Sequence, residues 1–242
     1  MIESLNFDVQ KPSVDLSKIT MLLYGVPKIG KSTFCSRFED HFFIATEPGL
    51  SHLEARFQLV KSWAEFRQTV EILKANRDKF RTLIIDTVDR MCDFLEREIL
   101  KKYSIHCLND LGYGKGTAIF RNNLKLMIDE LNSLGAGLIF TSHSESVEIT
   151  TPTGSIKKWG PSIPKDARKQ ILNAVDVIGF AECEYSIDGG KQKEQRVLHL
   201  APSQIWEAGD RTRRFPAKIP FKQSVFKQYF EKNSQQQTQQ TG

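Results

Sequence analysis

The stretch Gly25-Val26-Pro27-Lys28-Ile29-Gly30-Lys31-Ser32-Thr33 places a lysine and two hydroxyls directly after a glycine-bounded loop. The spacing fits G-x-x-x-x-G-K-[ST], the phosphate-binding P-loop. Each residue type has a task in that chemistry. Gly25 and Gly30 permit backbone conformations that turn successive N–H groups inward around phosphate oxygens. Lys31 brings a compact, mobile positive charge to the outer phosphates, and Ser32 offers a hydroxyl to Mg2+. Residues 25–33 are therefore expected to bind a nucleoside triphosphate, taken as ATP with Mg2+.

Hydrolysis needs carboxylates as well. Thr82-Leu83-Ile84-Ile85-Asp86 is an apolar run ending in an acid, the Walker B pattern, and Asp86 is expected to hold Mg2+ through its water shell. Thr87 follows it, so a glutamate directly after the Walker B aspartate is absent and the group that orients the attacking water must lie elsewhere. Glu47, at the end of the apolar run from His41 to Thr46, is the favoured carboxylate because open α/β sheets build their sites at strand carboxyl ends. Asp89 competes, but at the start of the next helix it reads more simply as serving that helix's first amides. His143 closes a further apolar run, Gly137 to His143, as a γ-phosphate sensor or as a satisfied histidine at the core edge.

These residues require a scaffold of alternating strands and helices. Ile19 to Tyr24 reads as a buried strand, with Phe34, Cys35 and Phe38 at helical spacing after the loop. Ser62-Trp63-Ala64-Glu65 opens a helix with a capping box and buries Phe66, Val70 and Leu73. Val88 to Lys102 carries Met91, Leu95 and Ile99 on one face, and Thr117 to Leu134 forms another helix stopped by Gly135. The alternation predicts a parallel sheet covered on both faces. Beyond it, Val147 to Ser162 reads as a hairpin or loop turning at Pro152 to Gly154, then a helix from Pro164 to Asn173. Strands flank Asp188-Gly189-Gly190, and a last structured piece runs from Pro220 to Phe230. Residues 1–231 are expected to form one domain, with an edge strand or ordered arm before residue 19, and the Gln-rich residues 232–242 a disordered tail.

Composition narrows the class. At 40% hydrophobic and 26% charged residues the chain is an ordinary globular one. No apolar run reaches the ~20 residues needed to span a bilayer and no basic-then-apolar leader opens the chain, so a cytoplasmic protein is expected, without membrane association. Cys35, Cys92, Cys107 and Cys183 are scattered without metal-ligand spacing and read as reduced thiols.

Ile44-Ala45-Thr46-Glu47-Pro48-Gly49-Leu50 resembles the strand that ends in the catalytic glutamate of RecA-type recombinases, and Leu83 to Val88 resembles their Walker B strand. Leu138 to His143 is similar to the next core strand of that family, which ends in a polar sensor; His143 holds that place. Gly112-Tyr113-Gly114-Lys115-Gly116 and Ala208-Gly209-Asp210-Arg211-Thr212 look like motifs of short phage-encoded P-loop proteins, some linked to single-strand annealing. The resemblance covers roughly residues 19 to 220. It implies an α/β RecA-like fold, with a mostly parallel sheet and a C-terminal antiparallel extension. It also implies a DNA-stimulated ATPase of phage recombination or annealing in a bacterial host cytoplasm, assembled as a ring or filament and working with phage or host recombination and single-strand-binding proteins. By the same likeness Arg211 is expected to touch ATP on a neighbouring subunit, although Gly209 stands where this group carries a lysine.

The loop of residues 144–163 falls where RecA keeps a mobile DNA-binding loop. Lys157-Lys158-Trp159, with Lys165, Arg168 and Lys169, supplies cations and a stacking ring for single-stranded DNA, and Tyr113 with Lys115 repeats the idea on a smaller scale. A solvated basic loop with Trp159 turned inward is the plainer alternative, and Arg211, Arg213 and Arg214 divide among nucleotide, DNA and solvent. Two other functions compete: an ATP-dependent switch that binds a protein partner without DNA, and a small-molecule kinase, for which no clear lid is visible.

Overall fold

The structure, a computed structural model, describes residues 15–151, 154–188 and 191–239. A short 3-10 turn, Leu16–Lys18, leads into β1 (Thr20–Gly25), followed by α1 (Lys31–Cys35), β2 (His41–Ala45), β3 (Phe57–Leu59), α2 (Trp63–Ala75), β4 (Thr82–Asp86) and α3 (Val88–Tyr103). The chain continues through α4 (Lys115–Ser133), β5 (Gly137–Thr151), β6 (Gly154–Pro161), α5 (Lys165–Ala174), β7 (Val177–Asp188) and β8 (Lys191–His199). It closes with β9 (Gly209–Asp210), β10 (Lys218–Pro220) and α6 (Gln223–Gln239).

The sheet runs in the order β10-β8-β7-β1-β5-β4-β2-β3. From β7 to β3 every neighbour is parallel, whereas β8, β9 and β10 pair antiparallel at the C-terminal side. The P-loop strand and the Asp86 strand are thus separated by β5.

Alternation along the strands divides the core. Leu22, Leu83, Ile85, Leu138 and Phe140 point to one face, under α2 to α5, where they meet Phe66, Met91, Leu95, Phe120 and Ile171. Met21, Leu23, Ile84 and Ile139 point to the other, under α1 and α6, where they meet Phe34, Phe38, Phe226 and Phe230. Such strands, buried on both faces, are near-continuous apolar runs because helices cover both sides.

Local signals explain most boundaries. Ser62 Oγ accepts from the Glu65 N–H at 3.2 Å, while Glu65 Oε2 accepts from the Lys61 N–H, one residue further back than a simple capping box requires. The short parallel edge strand β3 had no strong pattern in the sequence. Strand β5 extends well beyond His143, so the expected hairpin is a direct continuation of the core strand into an antiparallel pair with β6. Its turn at 152–153, the 189–190 turn and the arm up to residue 14 lie outside the described residues. Helix α6 runs to Gln239, past the boundary at 231 that composition suggested, in keeping with the good helix propensity of Gln and Lys; residues 240–242 lie outside the described residues.

Candidate functional site

The P-loop is positioned by a close approach. Gly25 ends β1 beside β7, where an added Cβ would lie 2.4 Å from the Ala181 carbonyl oxygen. Gly30, with φ 108°, takes the left-handed turn that starts α1. Between them Ile29 is buried and anchors the loop to the α1-side core. Lys31 folds back inside, donating from Nζ to the Gly25 and Val26 carbonyls at 2.9 and 3.1 Å. Burial pulls its ammonium below the ordinary lysine range, against the opposing pull of Asp86, Asp89 and Glu47.

Asp86 sits at the end of β4 between two hydroxyls. Ser32 Oγ donates to its Oδ2 at 2.7 Å, and Thr141 Oγ1, from β5, donates to its Oδ1. A second clasp brings β2 alongside: Thr46 Oγ1 accepts from the Thr87 N–H at 2.8 Å and donates to the Thr87 carbonyl at 2.9 Å. Glu47, the next residue, therefore lies beside Thr87. Thr87 Oγ1 lies 3.4 Å from Glu47 Oε1, and His143 Nε2 lies 3.8 Å from Glu47 Oε2.

One pocket of about 500 Å³ gathers Gly30, Lys31, Ser32 and Thr33 with Glu47, Asp86 and His143, together with Pro27, Lys28 and His52. The arrangement suits a triphosphate with a hard cation: hydroxyl and carboxylate oxygens converge from Ser32 and Asp86, and Lys31 supplies the positive charge. Asp89 bonds the backbone amide at the start of its own helix and takes a further post besides. Its Oδ2 accepts from the His143 N–H at 3.2 Å, tying the start of α3 to His143, and burial pushes its carboxyl up to about 6.

The expected DNA residues are more dispersed. Lys157 and Lys158 lie on β6, and Trp159 is 42% exposed while its backbone is held by Ile205 and Glu207. Arg168 departs from the expectation of a cation free for DNA: Nη1 donates to the Pro161 carbonyl at 2.8 Å and Nη2 pairs with Glu207. Its charge is occupied in holding the hairpin base. Tyr113 is fully exposed and Lys115 begins α4. Arg211 pairs with Asp176 at 3.3 Å. Asp176 precedes β7 next to Thr20, at the end of the sheet opposite Gly25, so Arg211 is remote from its own P-loop.

Thr46 and Thr141 carry no motif of their own and lie only one and two positions before Glu47 and His143. Arg196 on β8, whose Nη1 donates to the Ile29 carbonyl at 3.2 Å, is likewise marked by no motif. Among the described residues no helix is long and apolar enough to cross a membrane.

A family model described as an AAA domain (AAA_24) matches residues 17–212. The SPbeta prophage-derived uncharacterized protein YorG of Bacillus subtilis (strain 168) is 24% identical over 181 residues, covering 72% of this chain and 53% of that protein. The chain thus spans about half the length of that relative. Among solved structures, a KaiC-like protein, PH0186, from Pyrococcus horikoshii OT3 overlays with a TM-score of 0.49 at 16% identity, over 84% of this chain and 85% of that one.

Proposed function

We propose that this chain, which belongs to the AAA domain family, is a P-loop ATPase with a RecA-like core that hydrolyses Mg2+-bound ATP and couples the nucleotide state to its grip on single-stranded DNA, in phage-type recombination or annealing. The observation that carries the chemistry is the convergence of Lys31, Ser32, Asp86 and Glu47 in one pocket. Bound Mg2+ would supply charge neutralisation on the phosphates, held by Ser32 and by Asp86 through water. Lys31 binds the outer phosphates. Glu47 orients a water and takes its proton as the water oxygen attacks the γ-phosphorus, and the bond to the bridging oxygen breaks to leave ADP and phosphate.

The coupling rests on β5. It carries His143 at the nucleotide end and continues into the hairpin bearing Lys157, Lys158 and Trp159. The Ser162 N–H donates to the His143 carbonyl at 2.8 Å, so both strands of the hairpin base meet at the sensor position. A change at His143 would be felt directly there. Assembly of several copies as a ring or filament, contact between Arg211 and a neighbour's nucleotide, and work alongside recombination or single-strand-binding proteins belong to the same reading; the prophage origin of YorG supports its phage setting.

Binding to single-stranded DNA at several salt concentrations tests it. Lys157→Ala/Lys158→Ala should weaken affinity and make the slope of log K against log[salt] shallower by about 1 to 2. An unchanged slope would remove the hairpin as the DNA surface. No DNA binding at low salt would favour an ATP-dependent switch acting on a protein partner.

A further inference from the structure

A second groove, of about 490 Å³, opens on the other side of the P-loop from Asp86. The strand order sets the side: β4 lies across β5 from β1, whereas β8 lies across β7 in the opposite direction. The groove is lined by Arg196 of β8, Phe221 ahead of α6, and Phe34 and Arg37 at α1. It shares Gly30 and Thr33 with the phosphate pocket. Arg196 ties it to the loop through the Ile29 carbonyl, and Arg196 Nη1 and Phe221 Cε1 are the groups nearest the open side of Gly30. The half-buried Phe221 ring stacks on Phe34, with centroids 4.9 Å apart and planes 13° from parallel.

We propose that this groove receives the nucleoside part of the bound nucleotide, the base against Phe221 and the ribose and inner phosphate beside Arg196 and Arg37. This rests on the nucleotide-binding reading above. The transferring phosphate lies toward Ser32, Asp86 and Glu47, so the opposite end of the phosphate run leaves the loop past Thr33 and Gly30, where the groove begins. A flat hydrocarbon ring fits a purine face, and guanidinium N–H groups fit ribose hydroxyls and phosphate oxygens. The pocket on the other flank of α1, with His52 and Glu54, has no phenylalanine, tyrosine or tryptophan in its described lining and meets the phosphate pocket only at His52.

Equilibrium binding of ATP and of inorganic tripolyphosphate, both with Mg2+, to the full chain separates the two readings. Phe221→Leu keeps an apolar side chain against Phe34 and removes the flat ring; it should weaken ATP about tenfold and leave tripolyphosphate unchanged. Phe221→Tyr should restore the ATP affinity. Lys31→Ala should weaken both ligands. Unchanged ATP affinity in Phe221→Leu, or equal weakening of both ligands, would overturn the nucleoside groove while nucleotide binding stands. A wild-type chain that binds neither ligand would overturn nucleotide binding and the groove together.

Discussion

The Ser32 hydroxyl donates to Asp86 Oδ2 at 2.7 Å, joining the first turn of α1 to the end of a strand more than fifty residues away. This contact makes a single site of two motifs that are separate in sequence. It depends on β5 lying between β1 and β4, which sets the P-loop and the Asp86 carboxylate at the same edge of the sheet.

Removing either member should disable the cation site. Asp86→Asn is expected to lower ATP turnover about 10²- to 10³-fold, the range seen when one preorganised electrostatic group is lost. Ser32→Ala should abolish the strengthening of ATP binding by Mg2+. Phosphate release and nucleotide titrations with and without Mg2+ read both effects.

Glu47 is placed to act on water and makes no direct hydrogen bond to Lys31 or Ser32. Glu47→Gln should therefore bind ATP within about twofold of wild type and lose turnover by about 10²- to 10⁴-fold. Single-turnover hydrolysis on pre-bound ATP checks this, and undiminished turnover would remove Glu47 from the mechanism.

Asp89 makes a statement about pH. Its carboxyl is raised by burial from 3.8 to about 6. Between those values the folded chain holds a proton that the unfolded chain has released, so this group's contribution to stability falls as pH rises through the window and is level above it. Asn at this position keeps an oxygen for the His143 N–H and cannot titrate. Urea unfolding of wild type and Asp89→Asn should therefore diverge between pH 4 and 6, the variant gaining relative to wild type as pH rises.

Much of this was legible in the sequence because it is local. The P-loop order of strand, loop and helix, the Ser62 cap and the Met91, Leu95 and Ile99 face depend on neighbours a few positions apart, where periodicity and residue type suffice. Glu47, Asp86 and His143 were found because each closes an apolar run, and parallel pairing brings those ends to one edge. The Thr46–Thr87 clasp, the Thr141 bond to Asp86 and the Arg196 contact to Ile29 depend on strand register and order across the sheet, which no local pattern encodes. Charge misled at Arg168 for the same reason. A cation reads as free for DNA until the fold supplies its partner, here Glu207.

The most direct measurement is steady-state phosphate release from ATP with Mg2+, with and without single-stranded DNA, using Lys31→Ala as the blank. The account predicts Mg2+-dependent release well above the blank and faster in the presence of DNA. Release no greater than that of Lys31→Ala, with or without DNA, would contradict it.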